Sequence, residues 1–392
     1  MKRASSLDHE CLVYLPLSYA RRGPAESCVR IVEAFAAVGL LPVLYLPRTR
    51  APIARSIETV ETLPPLLRRL PWRYAASSAL TSLDRAFADA IRSSSPERTL
   101  LYFWPAPPKE LLEAGRRRGF ILVREMINTT CLLSRRILTK AYQDLGVTPR
   151  ISITDRQVAE EIDELHMYDF IFASNSGVEQ SLLEIGIPSE RIIPTSFGWS
   201  RARFGNSEPA QSDHSVMFQA AFVGTLGVRK GVPELIAAWE AAQLGGKLVL
   251  AGAIDPADAD IIRPLINDES IEYRGQVHDL GALYRESDVF VFPSLEEGGP
   301  QVTYEAAACG LPSIVTPMGA ARIITDSVTG IVVPAGAPQD IAVALRALAG
   351  DAELRTGLGR AAAHAAARYE YRHVGEHRAT HLLNLYDSAT TQ

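Results

Sequence analysis

The sequence predicts an α/β protein: two doubly wound parallel-sheet domains facing each other across a cleft. Three observations carry this. The chain has 392 residues, which at roughly 100–200 residues per domain argues for two domains or three. Short apolar runs rich in Val, Ile, Leu, Phe and Tyr recur in two sets, and helical patterns of crossover length separate them. The first set is 11–17, 41–46, 99–103, 120–123, 170–173 and 191–193; the second is 220–223, 247–251, 271–273, 289–292, 313–316 and 331–333. Most runs end at Gly, Pro or Ser, as strands buried on both faces do. The intervening patterns at 26–37, 233–242 and 300–309 read as crossover helices. Strand–helix–strand repetition implies parallel sheets covered on both sides.

The polar segment 198–215, with its Gly, Asn, Ser and Pro, reads as the linker between the two sets. The expected division is 1–202 for a first domain, 203–370 for a second, and 371–392 for a helix packing back on the first. The helical pattern over 352–385 is long enough to make that return. In such sheets ligands bind at the carboxyl ends of the strands, so the cleft is where chemistry is expected.

Composition narrows the partners. Apolar residues make up 47% and charged residues 22%, and 40 basic against 45 acidic residues leave a net charge of −5. No nucleic-acid partner is expected, since a phosphate backbone calls for a basic surplus. Cys11, Cys28, Cys131 and Cys309 are far apart in sequence and form no zinc-binding pattern, which suits a reducing cytoplasm. The longest apolar stretch, 34–47, is 14 residues long and is broken by Gly39 and Pro42, against about 20 for a spanning helix. Asp8, His9 and Glu10 interrupt any leader-like apolar region. The expectation is a cytoplasmic protein, soluble or peripheral. Segment 66–73 mixes Leu, Arg and Trp as an interfacial segment does, and raises contact with a membrane surface as a hypothesis.

Two strand-to-helix turns carry the chemistry. After the run 220–223 come Gly224, Thr225, Arg229, Lys230, Gly231 and Pro233. Glycines allow the sharp turn, and Pro233 suits a first helical turn. Two cations thereby stand ahead of a helix N-terminus, where unpaired amides favour an anion. After 289–292 come Glu297, Gly298, Gly299, Pro300, Gln301, Val302 and Glu305, with Gly310 and Pro312 beyond. Glu297 precedes this second helix and Glu305 lies in its second turn. Carboxylates beside a bound diphosphate are poor phosphate ligands but good acceptors for sugar hydroxyls. An acidic residue early in a helix is favourable without any ligand; that explains Glu305 alone and leaves Glu297 unexplained.

With Gly224, Arg229-Lys230-Gly231, Glu297-x7-Glu305 and Gly310-Leu-Pro312 in place, the chain resembles the retaining family-4 glycosyltransferases of GT-B architecture, over its whole second domain and more faintly over the first. The resemblance implies two Rossmann-like domains and a retaining, metal-independent transfer of sugar from a nucleotide-diphosphate sugar, UDP- or GDP-type, to a glycan, lipid-linked or other glycoconjugate acceptor, with no further cofactor. It implies that Lys230 and Arg229 hold the diphosphate, that Glu297 contacts the transferred sugar, and that Glu305 accepts from the ribose. Gly224, Thr225, Gly298, Gly299, Gln301 and Val302 would approach the donor, and Gln276 and Val277 would border the base. Gly23, Glu125 and Asn128 would face the acceptor. The chain departs from the family pattern at Thr225, where Arg is usual, and at Gly299-Pro300, where an aromatic and Gly are usual. It also has no His between His9 and His166. A catalytically weak partner or sensor, and a GT-B sugar-nucleotide epimerase, are the alternatives. Asp258 and Asp260 resemble a metal-binding pair, but following Asp255-Pro256 they read as acidic residues at a helix start.

Overall fold

The computed structural model describes residues 9–21, 23–105, 107–204 and 217–389. Two parallel sheets organise them. The first comprises β1 (His9–Tyr14), β2 (Leu40–Leu46), β3 (Glu58–Glu61), β4 (Thr99–Phe103), β5 (Leu122–Glu125), β6 (Phe170–Ala173) and β7 (Ile192–Pro194), in the order β3-β2-β1-β4-β5-β6-β7. The second comprises β8 (Phe218–Val223), β9 (Gly246–Ala251), β10 (Ile271–Gly275), β11 (Val289–Phe292), β12 (Ser313–Val315) and β13 (Gly330–Val332), in the order β10-β9-β8-β11-β12-β13. Both reverse direction beside the first strand of the unit, the topological switch point at which such sheets open a ligand crevice. The expected doubly wound fold is the one observed.

Each apolar run becomes a strand, and the central strands are buried on both faces. β4 and β11 are buried along their whole lengths. The exception is β3, Glu-Thr-Val-Glu, which has no apolar run to announce it. It is an edge strand, aligned Val43↔Glu58 on β2 and exposed to half-buried throughout. Edge strands tolerate charge, which blunts further pairing.

Helices α1 (Gly23–Val32), α2 (Trp72–Ser93), α3 (Lys109–Arg117), α4 (Cys131–Asp144), α5 (Asp155–Leu165) and α6 (Ser176–Glu184) belong with the first sheet, and the short α7 (Arg201–Phe204) follows β7. Around the second sheet run α8 (Val232–Ala242), α9 (Ala259–Leu265), α10 (Leu280–Glu286), α11 (Gln301–Ala308), α12 (Pro338–Gly350) and α13 (Ala352–Ala366). Much of the expected linker, 205–215, lies outside the described residues.

The last helical pattern is not one helix. It breaks at the 3₁₀ turn Ala367–Tyr369, and α14 (Tyr371–Ala389) then runs against α1. The break lies where the chain passes Trp199: the Trp199 amide donates to the Tyr369 carbonyl (3.1 Å) and the Tyr371 amide to the Trp199 carbonyl (3.0 Å). Glycine keeps these approaches close. A Cβ on Gly198 would come to 2.4 Å from the Tyr369 oxygen, and one on Gly375 to 2.2 Å from the Ile31 oxygen. Among the described residues no helix is long and apolar enough to cross a membrane.

Candidate functional site

The carboxyl ends of β8 and β11 meet at the interface between the domains. β8 runs into Gly224, at φ +156°, then through a 3₁₀ turn at Val228–Lys230 to Gly231, at φ +67°, which starts α8. A side chain at Gly231 would press its Cβ to 2.1 Å from the Pro293 carbonyl oxygen, so glycine is required for this turn to nest on the loop after β11. Two bonds lace the loops together: the Leu295 amide to the Arg229 carbonyl (3.0 Å) and Ser294 Oγ to the same oxygen (3.3 Å). Thr225 is exposed. The Gly252 amide reaches the Gly275 carbonyl at 2.7 Å, which sets the exposed Gln276 and half-buried Val277 just past the end of β10, beside Gly252 and Gly224.

Both cations of the first turn meet carboxylates of the second. Lys230 Nζ is ion-paired with Glu297 Oε1, which also accepts from Ser294 Oγ (3.1 Å), and the ammonium lies 5.4 Å from the centre of the Phe292 ring. Burial, with Arg229 alongside, pushes the Lys230 ammonium well below the usual lysine range. Arg229 Nη1 donates to Glu296 Oε2 (3.2 Å) and to the Glu296 carbonyl (3.1 Å).

Glu296 is a residue that the sequence reading passes over. It is 1% exposed, and its other oxygen accepts from the Thr129 amide (3.0 Å) and Oγ1 (2.8 Å) across the domain interface. Of two adjacent glutamates, one clamps the domains and the other pairs with Lys230. The doublet itself was the only sequence signal for the first.

The glycines that follow are packed against the N-terminal domain. A Cβ on Gly298 would lie 2.0 Å from the Ile127 oxygen, and one on Gly299 would lie 1.9 Å from the Phe197 ring. The Gly298 carbonyl accepts from Asn175 Nδ2 (2.9 Å) and from Ser174 Oγ, and the Glu297 carbonyl accepts from Asn175 Nδ2 (3.0 Å). Pro300 precedes α11, Gln301 Nε2 donates to Ser27 Oγ on α1 (2.6 Å), and Val302 is half-buried.

Glu305 lies one turn further along α11, among partners of its own. It is 5% exposed, with Arg203 Nη1 at 3.7 Å and the Tyr284 hydroxyl at 3.5 Å. Arg203 also faces Glu26 on α1, at 3.5 Å. Burial raises the Glu305 carboxyl to about 7, Arg203 opposing and Glu26 reinforcing.

The three residues expected to face an acceptor diverge. Asn128 is exposed and its backbone abuts Gly298; Gly23, at φ +62°, lines a cavity. Glu125 does not line the cleft. It is fully buried, ion-paired with Arg378 of α14, and accepts the Tyr102 hydroxyl. The Arg378 guanidinium, equally buried, donates to Tyr102 Oη (2.9 Å) and the Ser196 carbonyl (2.7 Å). An arginine some 250 residues away cannot be paired with Glu125 from strand spacing.

Asp258 and Asp260 point apart. Asp258 accepts the Val228 amide and the Tyr142 hydroxyl, both at 2.8 Å, while Asp260 takes a bidentate bond from Arg150 (2.5 and 2.7 Å). The helix there starts at Ala259, and the Asp258 side chain caps nothing in it. It thereby braces the 3₁₀ turn at Val228–Lys230. Among the described residues no three His, Cys, Asp or Glu side chains are grouped to hold a metal ion.

Residues 218–351 match the glycosyl transferases group 1 family. D-inositol 3-phosphate glycosyltransferase of Arthrobacter sp. (strain FB24) is 30% identical over 56% of this chain and 51% of its own length. The chain thus spans about half, in other cases less, of the curated relatives it matches. Sucrose-phosphate synthase from Thermosynechococcus elongatus has the same fold, with a TM-score of 0.72 at 18% identity over 97% of this chain and 99% of that one. So does Anabaena HepE, solved in complex with UDP and glucose, with a TM-score of 0.66 at 15% identity over 96% and 100%. Residues 218–351 thus resemble the glycosyl transferases group 1 family, and the chain as a whole has the GT-B fold of these structures.

Proposed function

We propose that this chain is a retaining, metal-independent glycosyltransferase that moves a sugar from a nucleotide-diphosphate sugar to a glycan, lipid-linked or other glycoconjugate acceptor. The observation that carries the reading is the convergence of Arg229, Lys230 and Glu297 from two separate strand ends on one interdomain seam. The family match of the domain holding them supports it, and the binding of UDP and glucose by the HepE fold relative favours a UDP donor.

In this reading the diphosphate enters between Lys230 and the N-terminus of α11 and displaces Glu297 from the ammonium. The freed carboxylate accepts from hydroxyls of the transferred sugar, and Glu305 from the ribose. The bond between the anomeric carbon and the phosphate oxygen breaks, and its electron pair leaves on the diphosphate. Preorganised cations and helix amides stabilise that charge where it develops. The acceptor hydroxyl attacks from the face the phosphate leaves, and its proton passes to a departing phosphate oxygen. No separate general base is required.

The test is the purified chain with UDP-glucose and GDP-mannose, the anomeric configuration of any product being read by NMR. Release of free nucleoside diphosphate with a product of unchanged anomeric configuration supports the reading. Inverted product, or epimerised donor in the absence of any acceptor, refutes it. The reading includes work on the cytoplasmic side of a membrane, with exposed Leu66 and Tyr74 as contact points; failure to sediment with anionic vesicles at low salt removes that part.

A further inference from the structure

A cavity of about 710 Å³ lies at the carboxyl ends of β1 and β2, against the N-terminus of α1. Its walls include Ser18, Gly23, Arg48, Arg50 and the apolar Leu17 and Trp72, and among the described residues no carboxylate lines it. Arg48 is 2% exposed yet makes no ion pair among the described residues. Its Nη1 is spent on the Arg68 and Leu70 carbonyls (2.6 and 2.7 Å) and its Nε on Ser18 Oγ (3.3 Å). Nη2 bonds to nothing among them, and the guanidinium is pinned 5.5 Å from the Trp72 ring centre. Arg50, exposed on the same wall, has no side-chain partner among the described residues either.

A buried cation without a counter-ion is costly, and a second cation beside it adds repulsion. Such an arrangement is stable in company with an anion. Two guanidinium forks and a helix N-terminus suit a phosphate. The volume is that of a small-ligand site, large enough for a phosphate and a sugar-sized group, with Leu17 and Trp72 as an apolar wall. Glu26, next on α1 after the lining residue Ala25, turns away to Arg30 and Arg203. Ser27 follows and contacts Gln301. One turn of α1 therefore separates the cavity from α11.

We propose that this cavity binds the phosphate group of the acceptor, with Arg48 and Arg50 as its cationic ligands. The proposal rests on the transferase reading above, since the cavity has an acceptor's role only if α11 holds a donor.

The test is a tryptophan-fluorescence titration of the full chain, with UDP present at saturation to fill the donor site. The probes are glucose 6-phosphate and farnesyl diphosphate, with glucose and octyl glucoside as their uncharged counterparts. Trp72→Phe identifies the signal that belongs to the cavity. The phosphorylated probes bind and their uncharged counterparts do not, and added salt weakens binding. Arg50→Ala, on the surface and safe for folding, weakens it about tenfold, and Arg48→Gln by roughly 10- to 100-fold, the loss expected for a charge-assisted hydrogen bond. A preference for farnesyl diphosphate identifies a lipid-borne phosphate, and equal binding of glucose 6-phosphate a soluble one; either supports the proposal. Equal binding of charged and uncharged probes, or no effect of Arg50→Ala, overturns it. If UDP itself does not bind, the transferase reading fails; if UDP binds and the phosphates do not, only this inference fails.

Discussion

If Glu305 accepts from the ribose as proposed, its carboxyl makes donor binding weaken as pH falls. Its proton leaves at about 7, because burial outweighs the attraction of Arg203 at 3.7 Å and the Glu26 carboxylate adds repulsion. Tyr284 and Tyr371 also face it, and both stay neutral because burial raises their hydroxyls far above neutrality. A ribose hydroxyl donates best to the ionised form. Affinity for an intact nucleotide sugar, whose diphosphate does not titrate near neutrality, therefore falls as pH drops below about 7. The limiting slope is tenfold per pH unit, about 1.4 kcal/mol. Calorimetric titration between pH 5.5 and 8.5 measures it, with Glu305→Gln as the control that shows no such slope. Stability runs the other way. Between about 4.5 and about 7 the native chain holds a proton that the unfolded chain has released, so rising pH costs up to about 3 kcal/mol across that window. Wild type and Glu305→Gln with the same pH profile for donor affinity would refute the reasoning.

Two further outcomes follow from the packing. Arg378→Met leaves Glu125 buried without its cation and lowers unfolding free energy by about 3–5 kcal/mol. Adding Glu125→Gln recovers part of that loss in urea melts; no recovery would mean that the pair is not coupled. Gly298→Ala drives a Cβ to 2.0 Å from the Ile127 oxygen, which parts the two domains there. The radius of gyration by X-ray scattering rises and the melting temperature falls, whereas Gly357→Ala, with nothing within 4 Å of its Cβ, leaves the scattering unchanged and gains about 1 kcal/mol in its helix.

The strands were legible because burial on both faces writes itself as an apolar run: the runs 99–103, 170–173 and 289–292 are strands at those same residues. β3 was not, because an edge strand of two glutamates, Thr and Val has no such run. The break at Ala367–Tyr369 was hidden for another reason. Its sequence, Ala-Arg-Tyr, forms helix readily, and the interruption comes from tertiary bonds to Trp199. At the site, the turns holding Arg229, Lys230 and Glu297 could be read because glycine and proline mark a strand-to-helix turn. What Glu296, Arg203, Asp258 and Arg378 do could not. Each acts through a partner brought near by the fold, and spacing along one segment does not encode a contact across two domains.

The most direct test is calorimetric binding of nucleoside diphosphate to wild type and Lys230→Ala. If the ammonium now held by Glu297 is the phosphate ligand, the substitution weakens binding roughly 10- to 100-fold, the loss of a charge-assisted hydrogen bond of about 1.5–3 kcal/mol. Equal affinity in the two proteins would mean that the nucleotide's phosphates rest elsewhere, and the account would fail with them.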